Sequence, residues 1–479
     1  MNVLSRAAEK VLVKITAEEI LAVTGARIVQ GGGAGATERE FVSFAIDGRR
    51  AAPGGVFFAI KGPRHDGHDF VPQAVASGAA ALVCSRTDVL PLAGGAVVFL
   101  VPDTLRALQD LAAAARRRLA LVVGITGSAG KTTAKEMTAA VVSRRRSAGW
   151  TAGNLNNLYG LPLTILNLPA SAQAAVLEMG MSYPGEIARL TEIADPDIGV
   201  ILNVAEVHLE HFGSIEGVAE AKGELFRAMR PGATAVWNAA DPRVRRLAEA
   251  FPGRKVSFAV DAPADLVGRD VEDDIVAGAR FRVRVGEREH DVRLGVFGRH
   301  NAQNAMAALA VAHAIGNDLE GAVRALSEVK AAPGRGEVMR LGRGITLVDD
   351  TYNANPLAMA SVLSSLALTP WTGRKVLVAG DMLELGPRAP VFHRQAGEHA
   401  ARAGVGLLVA VGPLASETGA GAGALGLKAV VTYPDSAAAA LDAASILAPG
   451  DLVVVKGSRG IAMEIFVAAA RRAFGEGAA

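Results

Sequence analysis

At 479 residues the chain exceeds what one hydrophobic core serves, so two to four domains are expected, and 50% hydrophobic residues give ample material to bury. Charged residues make up 20% and the formal net charge is +2, so no global field draws in nucleic acid or an anionic membrane. The single Cys84 allows no intrachain disulfide, Glu9 and Lys10 interrupt the apolar core a signal peptide needs, and no run of about eighteen apolar residues could span a bilayer, so a soluble cytoplasmic protein is expected.

Residues 1 to about 100 read as a small α/β domain: a helical pattern, a glycine loop at 31–35, then short strands near 41–46 and 56–60. Its polar residues gather in SFAIDGRR and IKGPRHDGHDF, where Asp47, Arg49, Lys61, Asp66 and His68 fall at strand ends or turns. Solvated turn charges and a binding loop are both open readings there. Asp103 is placed to cap a helix from Thr104 that carries Leu105, Leu108, Ala112, Ala115 and Leu119 at helical spacing. The arginine runs 116–118 and 144–146 end helical patterns and read as solvated helix termini.

The stretch 119–142, LALVVGITGSAGKTTAKEMTAAVV, organises the rest. An apolar, β-branched strand at 119–125 runs into a glycine-punctuated turn and then a helix. Gly127, Ser128, Ala129 and Gly130 carry little or no side chain, so backbone N–H groups can converge on an anion at the helix N-terminus. Lys131 suits the β- and γ-phosphates of ATP, and the Thr132 hydroxyl suits magnesium. The spacing is GxxGxxGKT, from Gly124 through Gly127 and Gly130, one residue off the strict Walker pattern.

Further on, AAVLEMG delivers Glu178 and IGVILNV leads to His208, both just past apolar strands, where open α/β sheets place ligands. Lys222, in the helical AEAKGELFRAM, reads by itself as ordinary helix-surface charge. GNLNNLYGLP reads as a loop, and 261–296 as strand material with a hairpin at Gly286. In the helix GRHNAQNAMAALAVAHAIG, Asn301 and Asn304 share a face at i, i+3; amides there can read an adenine edge, or serve helix bonding alone. After PGRGE at 333–337, five apolar runs alternate with helical stretches and imply a mostly parallel sheet. A literal GxGxxG at Gly421, Gly423 and Gly426 precedes a strand instead of linking strand to helix and reads as a flexible loop.

GITGSAGKTT, GNLNNLYGLP, LEMG, NVAEVHLEHFGS, AKGE, GRHNAQNAMAALA, PGRGE, DDTYNANP, AGDMLELG and VKGSRGIAME, in that order, resemble a Mur ligase over essentially the whole length. DDTYNANP, AGDMLELG and KGSR resemble the branch that adds D-alanyl-D-alanine. The resemblance implies three α/β domains: residues 1–100 for a UDP-muramoyl-peptide, 101–334 as a P-loop ATPase and 335–479 as a Rossmann-like acceptor domain. It implies ATP contacts at Thr126, Gly127, Ser128, Ala129, Gly130, Lys131, Thr132, Thr133, Asn301, Asn304, Arg335 and Asp350. Lys131, Glu178, His208 and Lys222 are implied as catalytic, with Thr132, Glu178, His208 and a CO2-derived carbamate on Lys222 as magnesium ligands.

By the same resemblance Ser43, Asp47, Arg49, Lys61, Asp66, His68, Asn154 and Asn157 face the UDP-substrate, and Asn353, Asn355, Lys456, Ser458 and Arg459 the acceptor. The chain departs from the family pattern at Gly48, where DSR reads Asp47-Gly48-Arg49, and at Ser182, where asparagine is usual. The implied reaction activates the carboxylate of UDP-N-acetylmuramoyl-tripeptide as an acyl phosphate, which the amine of D-Ala-D-Ala attacks, in a monomer without nucleic-acid or membrane partners. Alternatives are a diamino-acid-adding Mur ligase, a folylpolyglutamate synthase and, in a different class, a nucleotide-dependent regulatory protein.

Overall fold

The computed structural model describes residues 13–207, 209–475 and 477, so the start of the first helical pattern and His208 lie outside the described residues. Helix α1 (Ala17–Thr24) opens with a capping box in which the Thr16 and Glu19 side chains each accept the other's backbone N–H. The first sheet holds β1 (Arg27–Gln30), β2 (Phe44–Ala45), β3 (Val56–Phe58), β4 (Ala81–Cys84) and β5 (Val97–Leu100) in the order β1-β5-β4-β3-β2. Only its β1–β5 pair is antiparallel. Cys84 is buried there, and burial pushes its thiol up to about 12.

Helix α2 (Thr104–Arg116) is capped as its sequence predicts, with Asp103 Oδ1 accepting from the N–H groups of Leu105 and Arg106 at 2.8 and 3.0 Å. It buries Leu108, Leu111 and Ala112 in one apolar core that runs from the first sheet onto one face of the central sheet. Arg116 corrects the reading of a solvated helix end. It is 7% exposed, and its guanidinium donates to the carbonyls of Ala194 and Asp195 and to the Asp197 carboxylate, satisfying carbonyl acceptors left open where the helix Glu186–Ala194 stops. Arg144 and Arg145 are exposed, as expected.

The central part runs β6 (Leu121–Thr126), α3 (Lys131–Val142), β7 (Ala148–Trp150), α4 (Gly160–Leu166), β8 (Ala174–Glu178), β9 (Ile198–Ile201), α5 (Ile215–Ala228), β10 (Thr234–Asn238), β11 (Arg254–Val260), β12 (Leu266–Asp274), β13 (Gly278–Val285), β14 (Arg288–Arg293) and α6 (Arg299–Ala314). The nine strands are ordered β14-β13-β12-β11-β10-β9-β6-β8-β7, parallel from β12 to β7. Antiparallel β13 and β14 reverse at Gly286, φ +58°, as the alternation predicts. Helix α4 takes in Gly160 to Pro162, where the Asn/Gly/Pro composition predicts a loop; proline fits a first helical turn, whose N–H groups have no intrahelical partner to lose.

The third sheet holds β15 (Glu337–Arg340), β16 (Thr346–Asp350), β17 (Lys375–Gly380), β18 (Leu407–Val411), β19 (Val430–Tyr433) and β20 (Leu452–Lys456) in the order β15-β16-β20-β17-β18-β19, all parallel except β15. Its helices include α7 (Pro356–Leu368), α8 (Ala389–Arg402) and α9 (Ala415–Ala424). Gly421 and Gly423 lie within α9, not in a flexible loop; a Cβ on Gly421 would run into the backbone of Arg394 on α8, so glycine permits the close crossing of the two helices.

Central and third sheets are joined by packing and by hydroxyls. Ile275 and Phe297 sit in the apolar core of the third sheet, beside Val348, Val362 and Leu366. Ser361 Oγ meets His300 Nδ1 at 2.7 Å, Ser365 Oγ donates to Asp273 at 2.6 Å, and Thr369 Oγ1 accepts the Ile275 N–H at 2.9 Å, a ladder spaced i, i+4, i+8. Among the described residues no helix is long and apolar enough to cross a membrane.

Candidate active site

Strand β6 lies between β8 and β9, all three parallel, with Ile125 opposite Glu178 and Thr126 opposite Ile201. Their carboxyl ends therefore deliver the phosphate loop, Glu178 and the segment from Leu202 onward to one edge. Gly130, φ +81°, starts α3 without any side-chain cap, and a Cβ there would strike the Asn304 amide. Helix α3 thus presents the N–H groups of Lys131, Thr132 and Thr133 with no i−4 carbonyl to receive them, an anion-binding end.

The loop itself departs from expectation. The Ser128 and Ala129 N–H groups do not point into the cradle: Ser128 donates to the Asn203 carbonyl at 3.1 Å and Ala129 to Asn203 Oδ1 at 2.9 Å. Asn203 Nδ2 returns a bond to the Ala129 carbonyl at 3.1 Å, and Ser128 Oγ both accepts from Ala205 N at 2.8 Å and donates to its carbonyl at 3.2 Å. Thr126 is fully buried, its hydroxyl donating to the Met179 carbonyl at 2.9 Å. Thr133 is half-buried.

Beside the loop stands an oxygen-rich cluster. Thr132 Oγ1 donates to Glu178 Oε2 at 2.9 Å, and Asn156 Nδ2 donates to Glu178 Oε1 at 2.8 Å. The Glu178 N–H donates to Thr151 Oγ1 at 3.0 Å, while the fully buried Lys135 ammonium donates to the Thr151 carbonyl at 2.6 Å. Asn156 enters the site, a residue the sequence reading did not single out; Asn154 and Asn157, expected to face the UDP-substrate, are exposed, and Asn157 Oδ1 caps α4 by accepting from Gly160 N at 2.9 Å. Three asparagines within one loop gave no signal to choose among them.

Lys131 Nζ donates to the Gly127 carbonyl at 2.8 Å. Burial holds its ammonium below the ordinary lysine range, Glu178 opposes that, and the charge of Arg335 adds to it. Lys222, on α5, is 2% exposed and not the surface charge its helix suggests. Burial, reinforced by Lys131, pushes it well below the usual lysine value. Its place in the stripe of Val218 and Leu225, at i+4 and i+7, was the available signal.

Asn301 and Asn304 are buried and bonded to each other, Asn304 Nδ2 donating to Asn301 Oδ1 at 3.0 Å, with Asn301 Nδ2 donating to the Phe297 carbonyl at 2.7 Å. From the third sheet Asp350, at the end of β16, accepts from Lys456 Nζ, at the end of β20, at 2.6 Å, and that ammonium also donates to the Asn353 carbonyl at 3.0 Å. Ser458 is buried and spent on structure: its hydroxyl donates to the Ala354 carbonyl at 3.1 Å and accepts from Leu383 N at 2.9 Å. Asn355 caps α7, accepting from Ala358 N at 2.8 Å, while the Asn353 and Arg459 side chains face solvent.

On the first sheet Arg49 grips Asp47 with two bonds of 3.0 and 2.8 Å, which hold the Asp47 carboxyl below its usual range. Half-buried Ser43 accepts Val56 N through its carbonyl, and exposed Lys61 bridges to Asp66 by backbone. His68 is 2% exposed with both ring nitrogens used: Nε2 accepts the Ser85 N–H at 3.0 Å, so Nδ1 carries the proton that meets Asp66 Oδ1 at 2.6 Å. Its ring ties the loop at Asp66 to Ser85. A Cβ on Gly48 would stand 3.1 Å from both the Phe70 carbonyl and Gln73 Oε1, so the missing serine has little room here. Ser182 N–H donates to Glu186 Oε2 at 2.5 Å.

Residues 125–312 match the Mur ligase middle domain, residues 334–459 the glutamate ligase domain of Mur ligases, and residues 40–116 the Mur ligase family catalytic domain. The UDP-N-acetylmuramoyl-tripeptide–D-alanyl-D-alanine ligase of Escherichia coli (strain K12) is 38% identical over 430 residues, 88% of this chain and 92% of that protein. A crystal structure of MurF from Acinetobacter baumannii superposes with a TM-score of 0.85 at 32% identity, covering 96% of this chain and 100% of that one. MurF from Thermotoga maritima, solved in complex with ADP, gives 0.79 at 32% identity, covering 90% and 97%.

Proposed function

The chain belongs to the Mur ligase family, and from that premise we propose that it joins D-alanyl-D-alanine to UDP-N-acetylmuramoyl-tripeptide, driven by ATP, to give the UDP-muramoyl-pentapeptide of peptidoglycan synthesis with ADP and phosphate. The tripeptide's terminal carboxylate attacks the γ-phosphorus, ADP leaves, and an acyl phosphate forms. The dipeptide amine then adds to that carbonyl, loses a proton, and the tetrahedral intermediate expels phosphate to leave the amide. The observation that carries the reading is the meeting of the open end of α3, Lys131 and the Thr132–Glu178–Asn156 cluster at one sheet edge, with Arg335 close enough to act on Lys131.

Phosphoryl transfer between two anions is mostly positioning and charge neutralisation. The N–H groups at the start of α3 hold phosphate oxygens, Lys131 leaves the Gly127 carbonyl for them, and Arg335 adds a second cation. Buried Asn304, which stands against Gly130, and its partner Asn301 are the amides left to the adenine, and Asp350 is left to the ribose. The Thr132 hydroxyl and Glu178 carboxylate are hard oxygen donors that fit magnesium, which keeps most of its shell for water and phosphate; when bound, it neutralises charge on the transferring group.

Lys222 is the position for a carbamate. Buried, and with no carboxylate partner among the described residues, its amine is disfavoured as a cation and free to add to CO2, losing one proton and gaining two oxygens that share a negative charge. The domain assignments follow the same reading: residues 1–100 take the UDP-sugar through Asp47, Arg49 and Lys61, residues 101–334 take ATP, and residues 335–479 take the dipeptide, with Arg459 exposed at the β20 end.

A coupled ADP-release assay tests the whole. ADP should appear only with UDP-muramoyl-tripeptide, and product only with D-Ala-D-Ala added; a nucleotide-dependent regulatory protein would instead turn over ATP without either.

A further inference from the structure

Arg335 lies in the linker between central and third sheets, and among the described residues it has no carboxylate partner. Its guanidinium rests over the Tyr352 ring, 3.9 Å from the centroid. The two residues are also tied through the main chain: the Tyr352 N–H donates to the Gly334 carbonyl at 2.9 Å, and the Gly336 N–H to the Asp349 carbonyl at 2.8 Å. A ring under a guanidinium restricts its plane without neutralising it, which a carboxylate would do. Arg335 is thus a linker cation fixed in plane and not neutralised by a carboxylate among the described residues. Tyr352 itself follows β16 of the third sheet, and a second guanidinium, Arg459, lies 5.7 Å from the same centroid.

We propose that Tyr352 is a positioning residue whose ring holds Arg335 toward the transferring phosphate, so that the cation is in place only when the acceptor-side sheet is seated. The inference rests on the assignment of Arg335 to the phosphate made above. It gives the ring, and not its hydroxyl or its bulk, the decisive part.

Steady-state kinetics on Tyr352→Phe, Tyr352→Leu, Arg335→Ala and the Arg335→Ala/Tyr352→Leu double variant, each checked for folding by melting temperature, test it. Tyr352→Leu should lower kcat/KM for ATP about tenfold with KM for the UDP-tripeptide unchanged, and Tyr352→Phe should stay within about twofold of the parent. Arg335→Ala should cost much less in the Leu background than in the parent, because the two act as one unit. Should Tyr352→Leu unfold, Tyr352→Gln, polar and ringless at this half-exposed position, takes its place. Equal impairment of Phe and Leu variants, or full additivity in the double variant, overturns the proposal. So does a damaging Arg335→Ala paired with a harmless Tyr352→Leu, which leaves the Arg335 assignment standing; a harmless Arg335→Ala overturns both.

Discussion

Asn203 and Ala129 exchange two hydrogen bonds, side-chain amide to backbone amide, of 2.9 and 3.1 Å. The phosphate loop is thereby shaped from the neighbouring strand end and not only by its own glycines. Asn203→Ala removes both bonds, each worth about 1 kcal/mol, and should raise KM for ATP about tenfold while KM for the UDP-tripeptide holds. Asn203→Asp keeps the acceptor but sets a carboxylate against the Ala129 carbonyl and near the phosphates, so it should be the worse variant. A folded Asn203→Ala with an unchanged KM for ATP would take this residue out of nucleotide binding.

Lys222→Ala should lose most turnover, because it removes the buried amine that the proposed carbamate, with its two oxygens, is built on. Acetate or formate added to the variant should restore a measurable part by supplying the missing carboxylate. The parent should also slow when CO2 is stripped from the buffer. Full activity in Lys222→Ala without additive would end the carbamate assignment.

Arg49→Ala should raise KM for the UDP-tripeptide about tenfold and leave kcat unchanged, since a charge remote from the reacting atoms contributes equally to ground and transition states. Arg49 is largely exposed and among the described residues its ionic partner is Asp47, so the fold should not suffer. If KM for ATP moved instead, the first sheet would have been given the wrong substrate.

Among the described residues Arg459 is only loosely paired: Lys456 is held by Asp350 at 2.6 Å and Arg388 by Glu206, whereas Glu464 stands 3.8 Å from Arg459. Arg459 should receive the dipeptide's terminal carboxylate. Arg459→Ala should raise KM for D-Ala-D-Ala about tenfold to a hundredfold. Amidating that carboxylate should cripple the substrate for the parent enzyme and make little further difference to the variant; equal discrimination by both would sink the assignment.

The phosphate loop was legible because an apolar strand, spaced glycines and Lys131-Thr132 are all local, and so were five of the six strands of the third sheet, which follow apolar runs; the antiparallel edge strand β15, EVMR, with a charge at each end, was not. What escaped was set by contacts distant in sequence. Asn203 finds Ala129 across 74 positions, and Arg116 finds Asp195 across 79, pairings that no window of spacing reveals. Asn156 differs from Asn154 and Asn157 only in which way one loop faces. The glycines of α9 read as a loop because their use, closeness to α8, belongs to a second helix. Lys222 was the opposite case: the pattern held it, as a lysine in an apolar stripe, but a lone charge there reads as noise until the stripe is seen to be covered.

Ile275 and Phe297 belong by chain to the central sheet and by packing to the core of the third. The two bodies also meet through exposed Arg388 and half-buried Glu206. One attachment is greasy and the other ionic, so solvent acts on them in opposite directions. A strongly hydrated salt such as sulfate tightens the apolar seat while its ions screen the charged pair. The apolar seat should therefore hold while the Arg388–Glu206 pair weakens as ionic strength rises, so the two attachments answer to salt with opposite signs.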